Sequence, residues 1–197
     1  DLEEVARLVS RLGAARWSLF FLVSVGRGRT LTPLAPADAE RRLRWLAAHA
    51  EEWPFTASTT EAPHYRRVVV ERMRAAGRRG DEIQRAPVAR AFGIRDGNGI
   101  MFIAANGDVT PSGFLPLVAG SVLHASALGL YREHPLFRAL RTPARLGGRC
   151  GACAYRALCG GSRARAWAAS GDPLGEDPLC AYDPRAAQAP AAAGALA

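Results

Sequence analysis

The four cysteines of this chain all lie in its last quarter, with the spacing C-x2-C-x5-C-x20-C: Cys150, Cys153, Cys159 and Cys180. Four thiolates are the ligands that a zinc ion or an iron–sulfur cluster requires. Zinc sites typically use two C-x2-C knuckles, whereas this chain has one. The wider second step and the distant fourth cysteine therefore favour an iron–sulfur cluster, although spacing alone leaves zinc open.

Two uses of the cysteines without a metal fit the sequence less well. Disulfide frameworks are typical of short, cysteine-dense secreted domains, whereas this chain has 197 residues and four cysteines. A redox pair at Cys150 and Cys153 would leave the other two cysteines unexplained. The sequence therefore predicts a metal centre.

The residues around the cysteines are rich in glycine and arginine. Glycine lets the backbone approach closely and direct its N–H groups toward sulfur, and such hydrogen bonds tune a cluster's potential. Arginine offsets the negative charge of a thiolate-bound cluster, although solvation of a helix after Gly161 explains any single arginine equally well. The arginines concerned are Arg149, Arg156, Arg163 and Arg165.

The cysteine-containing segments resemble the C-terminal SPASM/twitch region of radical S-adenosylmethionine (SAM) enzymes. The resemblance covers most of the chain. The segments that carry it are 150–153, 159–166, 171–174 and 176–180. It implies that Cys150, Cys153, Cys159 and Cys180 hold an auxiliary 4Fe–4S cluster.

A full SPASM domain carries two clusters and further cysteines, and this chain departs from that pattern at two positions. The Gly-x-Val-x-Pro hairpin, residues 107–111, is followed by Ser112 instead of cysteine, and Arg163 stands where another cysteine is expected. We therefore expect one auxiliary cluster, as in the reduced branch that includes enzymes similar to those of alternative heme synthesis.

The first half of the chain predicts alternating helices and strands. Its apolar patterns and breakers indicate three helices and two strands: helix 2–12, strand 17–25, a helix from Pro36 toward Glu52, strand 55–60 and a helix near 65–76. Such alternation implies a parallel sheet with covering helices, although about sixty residues cannot close a barrel. The resemblance identifies these elements as the late βα units of a partial TIM-type barrel.

Loops at the strand ends are the places where such barrels hold cofactor and substrate. By resemblance, Gly26, Arg27 and Gly28 are predicted to bind cofactor. Glu61 is a candidate for proton transfer or helix capping, and His64 for substrate contact or a structural hydrogen bond. For Asp177 a structural role is favoured.

The predicted fold is α/β and has two domains. Residues 1–80 form the late barrel elements, 81–98 a linker, and 99–184 a small α+β SPASM-like cluster domain, while 185–197 form a disordered tail. Asn106-Gly107 between two apolar stretches predicts a β-hairpin in the second domain. A short helix over 135–141 is expected to lead to the cysteines.

Radical chemistry in this family requires a C-x3-C-x2-C motif, which this sequence does not contain. We therefore expect the C-terminal portion of a longer enzyme, inactive alone, with SAM bound only in the full-length parent. The resemblance implies radical modification of a peptide or tetrapyrrole-like small-molecule substrate, with the auxiliary 4Fe–4S cluster anchoring substrate or relaying electrons from a donor protein. The alternative is a structural zinc-binding interaction module.

The net charge of +8 invites comparison with nucleic-acid binders. Among lysine and arginine, the sequence uses only arginine. The arginines are scattered along the chain, whereas a nucleic-acid site gathers them with aromatics on one stripe. No apolar run is long enough to span a bilayer. We expect neither nucleic acid nor a membrane as partner, and a cytoplasmic location.

Overall fold

A computed structural model describes residues 1–90 and 94–186 of the chain. Its first half contains the predicted alternation of three helices and two strands: α1 Leu2–Arg11, β1 Arg16–Phe20, α2 Pro36–His49, β2 Thr56–Thr60 and α3 Tyr65–Ala75. A 3-10 helix, Gly26–Thr30, follows β1. The order of elements in the first half is thereby confirmed.

Strands β1 and β2 form a parallel pair, with Arg16 opposite Thr56 and Phe20 opposite Thr60. Helix α2 connects them as a βαβ crossover, as a parallel pair requires. The predicted strand over 17–25 ends at Phe20 because its partner ends at Thr60, although the Phe21 N–H still donates to the Thr60 carbonyl. The described parts of the chain contain this sheet, a second sheet of three short strands and no barrel.

The first hydrophobic core lies between the parallel pair and α2. Helix α2 buries residues at helical spacing on one face: Ala39, Leu43, Leu46 and Ala47. They pack against Leu19 and Phe21, together with Leu179 from the C-terminal segment. Leu179, from the C-terminal segment, therefore completes the core formed by the N-terminal helices and strands.

The segment predicted as a linker, residues 81–98, contains regular structure. It includes most of α4, Gly80–Arg85, and the short α5, Pro87–Arg90. Ile83 is buried, and both helices contact α3. Residues 91–93 of the predicted linker lie outside the described residues.

The second sheet contains the predicted hairpin. Strands β3, Phe102–Ile103, and β4, Asp108–Thr110, pair antiparallel, and Gly107 between them has φ of +89°. Such a positive φ favours glycine, as the Asn-Gly signal implied. A third strand, β5, Gly120–Ser121, pairs with β4 and was not predicted.

Helices complete the C-terminal half. They are α6 Ala127–Glu133, α7 Pro135–Leu140, a 3-10 helix Pro143–Arg145, α8 Gly148–Ala152 and α9 Arg163–Ser170. Helix α7 confirms the helix predicted over 135–141. Pro135 suits its first turn, because the N–H that proline lacks would have no partner within the helix there. The predicted tail falls on residues outside the described chain from 187 onward.

A second core joins the two halves of the chain. Val23, which follows β1, packs with Leu115, Leu140 and Ala164. With Leu179 in the first core, contacts therefore run in both directions between the halves. Among the described residues, no helix combines the length and apolarity needed to cross a bilayer.

We expect Leu43→Ala to lower the free energy of unfolding by about 2–5 kcal/mol, because the Leu43 side chain is fully buried and its truncation leaves a cavity. Urea titration followed by circular dichroism measures the change. Leu12→Ala is the matched control: Leu12 is 73% exposed, and its truncation should change the free energy by less than about 0.5 kcal/mol. Equal effects would show that α2 does not supply the core.

Candidate metal centre and adjoining cleft

The structure brings all four cysteines to one pocket. Cys150 lies in α8, Cys153 caps its C-terminal end, Cys159 follows the next turn, and Cys180 comes from the segment after α9. All four are free thiols. The pocket, counted out to its open mouth, is about 430 Å³. Cys150 and Cys180, which are 30 positions apart in sequence, therefore line the same pocket.

The sulfur atoms of Cys150, Cys153 and Cys159 each accept a backbone N–H. The Tyr155 N–H donates to Cys153 Sγ at 3.3 Å, and the Gly161 N–H donates to Cys159 Sγ at 3.4 Å. Cys150 Sγ accepts the N–H of Asp177 at 3.4 Å. Hydrogen bonds to sulfur stabilise the thiolate form and tune a bound cluster.

Glycine at position 161 is required by the space between the cysteine segments. Gly161 has φ of +64°, and a Cβ there would lie 3.2 Å from Cys150 Sγ and 2.5 Å from Arg163 Nη2. The sequence indicated that glycine would permit close backbone approach near the sulfurs. The geometry at Gly161 confirms that interpretation for Cys159.

Arg163, which stands where the resemblance predicts another cysteine, is fully buried beside the pocket. Its Nη2 donates to Cys150 Sγ at 3.5 Å, and its Nη1 donates to the carbonyl oxygens of Pro173 and Gly175 at 3.1 and 2.6 Å. A guanidinium at this point partly offsets the charge of a thiolate. Arg163 therefore connects the Cys150 sulfur to the backbone at Pro173 and Gly175 and places a positive charge beside that sulfur.

Ser112, the other departure from the SPASM pattern, also has a structural partner. Its hydroxyl group donates to Asp96 and accepts the N–H groups of Phe114 and Leu115. Asp96 in turn accepts the Ala164 N–H at 2.8 Å. Ser112 thus connects the hairpin region to the start of α9.

Burial changes the acid–base behaviour of the thiols. It raises the pKa of Cys159 to about 12 and that of Cys180 to about 11, and it also raises the pKa of Cys153. Without a metal the thiols of Cys153, Cys159 and Cys180 are therefore protonated at neutral pH, and metal uptake at these thiols releases protons. Four convergent sulfurs, three of them with N–H donors, and a nearby guanidinium fit a thiolate-bound cluster. Within the described residues, no three His, Cys, Asp or Glu side chains are arranged to hold a single metal ion.

Asp177 joins the cysteine segments to the rest of the protein. It is 1% exposed and forms a two-point pair with Arg165, at 2.7 Å to Nε and 3.0 Å to Nη2. It also accepts the N–H groups of Ser162 and Leu179. Burial alone would raise the pKa of Asp177, but the charge and hydrogen bond of Arg165 outweigh it and lower the pKa to about 2. The structural role favoured from the sequence fits these contacts.

Arg165 extends this pair to the strand ends of the first half. Its Nη1 donates to the Leu22 carbonyl at 3.2 Å, and its Nη2 donates to the Glu61 carbonyl at 2.6 Å. Glu61 has φ of +58° and is the one non-glycine residue with positive φ in the described part of the chain. A left-handed backbone of this kind costs energy and persists where its surroundings fix it.

A wider cleft adjoins the thiol pocket at the end of β2. It includes residues of β2, α3, α5 and the start of α9, and its lining contains Glu61, Arg66, Arg95, Asp96 and Ser162. The Ser162 hydroxyl donates to Glu61 Oε2 at 2.6 Å. Burial, followed by the neighbouring charge of Asp96, raises the pKa of the Glu61 carboxyl to about 7.

The remaining predicted residues lie apart from the thiol pocket. Gly26, Arg27 and Gly28 belong to the 3-10 helix after β1 and line neither the pocket nor the cleft, so cofactor binding there stays a prediction. His64 is fully buried, and neither ring nitrogen has a hydrogen-bond partner among the described residues. Burial lowers its pKa to about 4.

Sequence reasoning missed Arg95 and Asp96, because both fall in the segment assigned as a linker. Asp96 Oδ2 bonds the Ala164 N–H, which lies 68 residues away in sequence. No local pattern signals such a contact. The nearest signal is the charge- and glycine-rich composition of residues 77–98, which sequence reasoning assigned to a linker or surface loop.

Over most of its length the chain is similar to proteins named AdoMet-dependent heme synthase. It is 37% identical over 187 residues to the AdoMet-dependent heme synthase of Methanosarcina barkeri, and 35% identical over 187 residues to that of Nitratidesulfovibrio vulgaris. These alignments cover 93% and 94% of the chain, and 54% and 51% of the relatives. A pre-heme d1 synthase of Dinoroseobacter shibae is 41% identical over 92 residues, 45% of the chain and 23% of that protein.

The chain is therefore homologous to radical SAM enzymes, as the cysteine segments indicated. It spans about half the length of the heme synthases that it matches. No family model matches the chain.

We expect Asp177→Asn to lower the free energy of unfolding by about 3–5 kcal/mol, because it leaves Arg165 as a buried charge without its carboxylate. Chemical denaturation of the metal-free chain under reducing conditions measures the change. The matched control is Asp81→Asn, which removes an exposed pair with Arg85 and should cost at most about 1 kcal/mol. Similar losses in both variants would contradict a special role for the buried pair.

We expect the stabilising effect of Glu61 to depend on pH. Its folded-state pKa of about 7 lies above the unfolded value, so its contribution is fully present below about pH 4 and is lost as pH rises through 7. Relative to Glu61→Gln, the free energy of unfolding of the wild type should fall by about 2 kcal/mol between pH 5 and 8. Denaturation curves across this range test it, with the exposed Glu133→Gln as control. A constant difference would contradict the raised pKa.

Proposed function

We propose that this chain is the auxiliary-cluster portion of a radical SAM enzyme, and that Cys150, Cys153, Cys159 and Cys180 bind one 4Fe–4S cluster. The observation that carries the proposal is the convergence of these four sulfurs on one pocket, three of them with a backbone N–H donor. Homology to radical SAM enzymes over more than nine-tenths of the chain supports the same function.

The proposed cluster supplies one-electron transfer or an iron atom at which substrate is anchored. The chain's own residues prepare the site for it. The N–H donors and Arg163 offset negative charge on the sulfurs, and Asp177 with Arg165 fixes the segment that carries Cys180. Tyr155 and Tyr182 stack edge to face beside the pocket and limit its contact with water.

We propose a tetrapyrrole-like substrate for the whole enzyme, because the relatives are named heme synthase and pre-heme d1 synthase. In this proposal β1, α2, β2 and α3 are late βα units of a partial barrel, whose strand ends face the substrate. Their position fits, because the cleft begins at the end of β2 and continues to Ser162. SAM would be bound by the full-length parent.

If the cluster relays electrons, its partner is an electron donor protein. Arg149 and Arg156 line the thiol pocket, and both are part of its cationic rim. We propose that a donor with an acidic surface docks there, since complementary charge raises association rates.

Metal analysis tests the proposed cluster. After anaerobic purification, we expect about four iron and four sulfide per chain, with little zinc, and a brown colour. Cys159→Ala should lose most of the iron and sulfide, because it removes one of the four proposed ligands. The exposed Ser10→Ala variant, prepared in parallel, should retain both.

Two results would count against the cluster. One zinc per chain without sulfide would indicate a structural metal module instead of an electron relay. Equal iron and sulfide in Cys159→Ala and Ser10→Ala would show that Cys159 is not a ligand. Thermal melts of both variants establish whether a loss of metal follows a loss of folding.

A further inference from the structure

The cleft beside the thiol pocket contains a buried guanidinium, that of Arg95, whose hydrogen bonds are incomplete among the described residues. Arg95 lines the cleft, is 8% exposed, and its Nε has no hydrogen-bond partner among the residues that the structure describes. A buried guanidinium N–H without an acceptor is costly, and native proteins usually satisfy such groups. An anionic ligand in the cleft would supply the missing acceptor.

The charges around Arg95 favour an anion over a cation. Three guanidinium groups line the cleft, those of Arg16, Arg66 and Arg95, against the carboxyl groups of Glu61 and Asp96. Both Asp96 oxygens already accept hydrogen bonds, one from the Ser112 hydroxyl and the other from a backbone N–H. Arg66 is fixed by two hydrogen bonds to the Val88 carbonyl oxygen. The cleft is therefore cationic and in large part pre-organised.

Glu61 provides a proton at the same place. Its backbone is locked in the left-handed region by Arg165, and its carboxyl group bonds Ser162. The charged groups that act on it are Asp96, Asp177 and Arg165, and burial with the charge of Asp96 keeps its pKa near 7. In the neutral form Glu61 is a hydrogen-bond donor and adds no negative charge to the cleft.

The cleft reaches the cysteine segment through the same arginine. A Cβ at Gly160 would lie 2.9 Å from Arg95 Nε, so the Arg95 side chain packs directly against the residue that follows Cys159. A ligand group bound to Arg95 would therefore lie beside the proposed metal centre.

We propose that this cleft is a carboxylate-binding subsite, in which the Arg95 guanidinium pairs with a carboxylate of the ligand and the protonated Glu61 donates a hydrogen bond to it. The planar, multi-donor guanidinium suits a carboxylate geometrically. The proposal rests on the proposed function only for the wider substrate, a tetrapyrrole with carboxylate side chains. The subsite itself is argued from Arg95 and Glu61.

Mesoporphyrin IX, which has two carboxylates, is the probe, and its dimethyl ester is the control of the same ring. Fluorescence quenching with the anaerobically purified chain gives Kd for each. We expect the diacid to bind at least about tenfold more tightly than the ester, since a charge-assisted hydrogen bond is strong in a buried site. Arg95→Gln should remove most of that preference. Arg7→Gln, an exposed change of equal charge on α1, should leave it unchanged.

The pH dependence tests Glu61 separately. Binding of the diacid should weaken by roughly three- to tenfold from pH 6 to 8, because ionised Glu61 repels the carboxylate. Glu61→Gln should bind with little change over this range. A wild-type profile equal to that of Glu61→Gln would overturn the role of Glu61.

Equal binding of diacid and ester, or Arg95→Gln binding the diacid as tightly as Arg7→Gln, would overturn the subsite. If Arg95→Gln fails to fold by circular dichroism, the wild-type comparison of diacid with ester still decides. Iron and sulfide are measured on the same samples. If the chain prefers the diacid but holds no iron and sulfide, the subsite is supported and the proposed cluster is wrong. If the chain holds iron and sulfide but does not prefer the diacid, the cluster is supported and the subsite is wrong.

Discussion

The buried pair of Arg165 and Asp177 is the interaction on which the rest of the structure depends. Asp177 accepts backbone N–H groups from Ser162 and Leu179 and donates its own N–H to Cys150. Arg165 reaches the carbonyl oxygens at the ends of both strands of the parallel pair. Because a buried ion pair is costly unless its hydrogen bonds are satisfied, these partners must keep their places together. The pair thereby fixes the cysteine segments relative to the first half of the chain.

The thiol pocket and the cleft share their supporting residues. Ser162 caps α9 through its hydroxyl group, bonds Glu61 in the cleft, and gives its N–H to Asp177 beside the pocket. Gly160 and Gly161 allow Arg95 and Arg163 to approach from opposite sides. A substitution at Ser162 would therefore remove contacts in both the pocket and the cleft.

Much of the fold was accessible from sequence, because its signals are local. The spacing of Ala39, Leu43 and Leu46 determines the buried face of α2, and Asn106-Gly107 determines the hairpin. Strand ends were less accessible: the extent of β1 depends on where β2 stops, which is a pairing between distant residues. Helices α4 and α5 were missed because six and four residues carry too little periodicity to distinguish them from a loop.

The sequence by itself determined the four thiols, their spacing and the resemblance to radical SAM enzymes, because ligand type and spacing are properties of the chain. It also indicated that the backbone beside Cys159 has positive φ, because Gly160 and Gly161 are the residue type that adopts positive φ without strain. Only the tertiary structure decided that Arg163 braces Cys150, that Ser112 bonds Asp96, and that Arg95 lies buried in the cleft. These contacts join residues far apart in sequence, and their energy comes from burial, which exists only once the chain has folded.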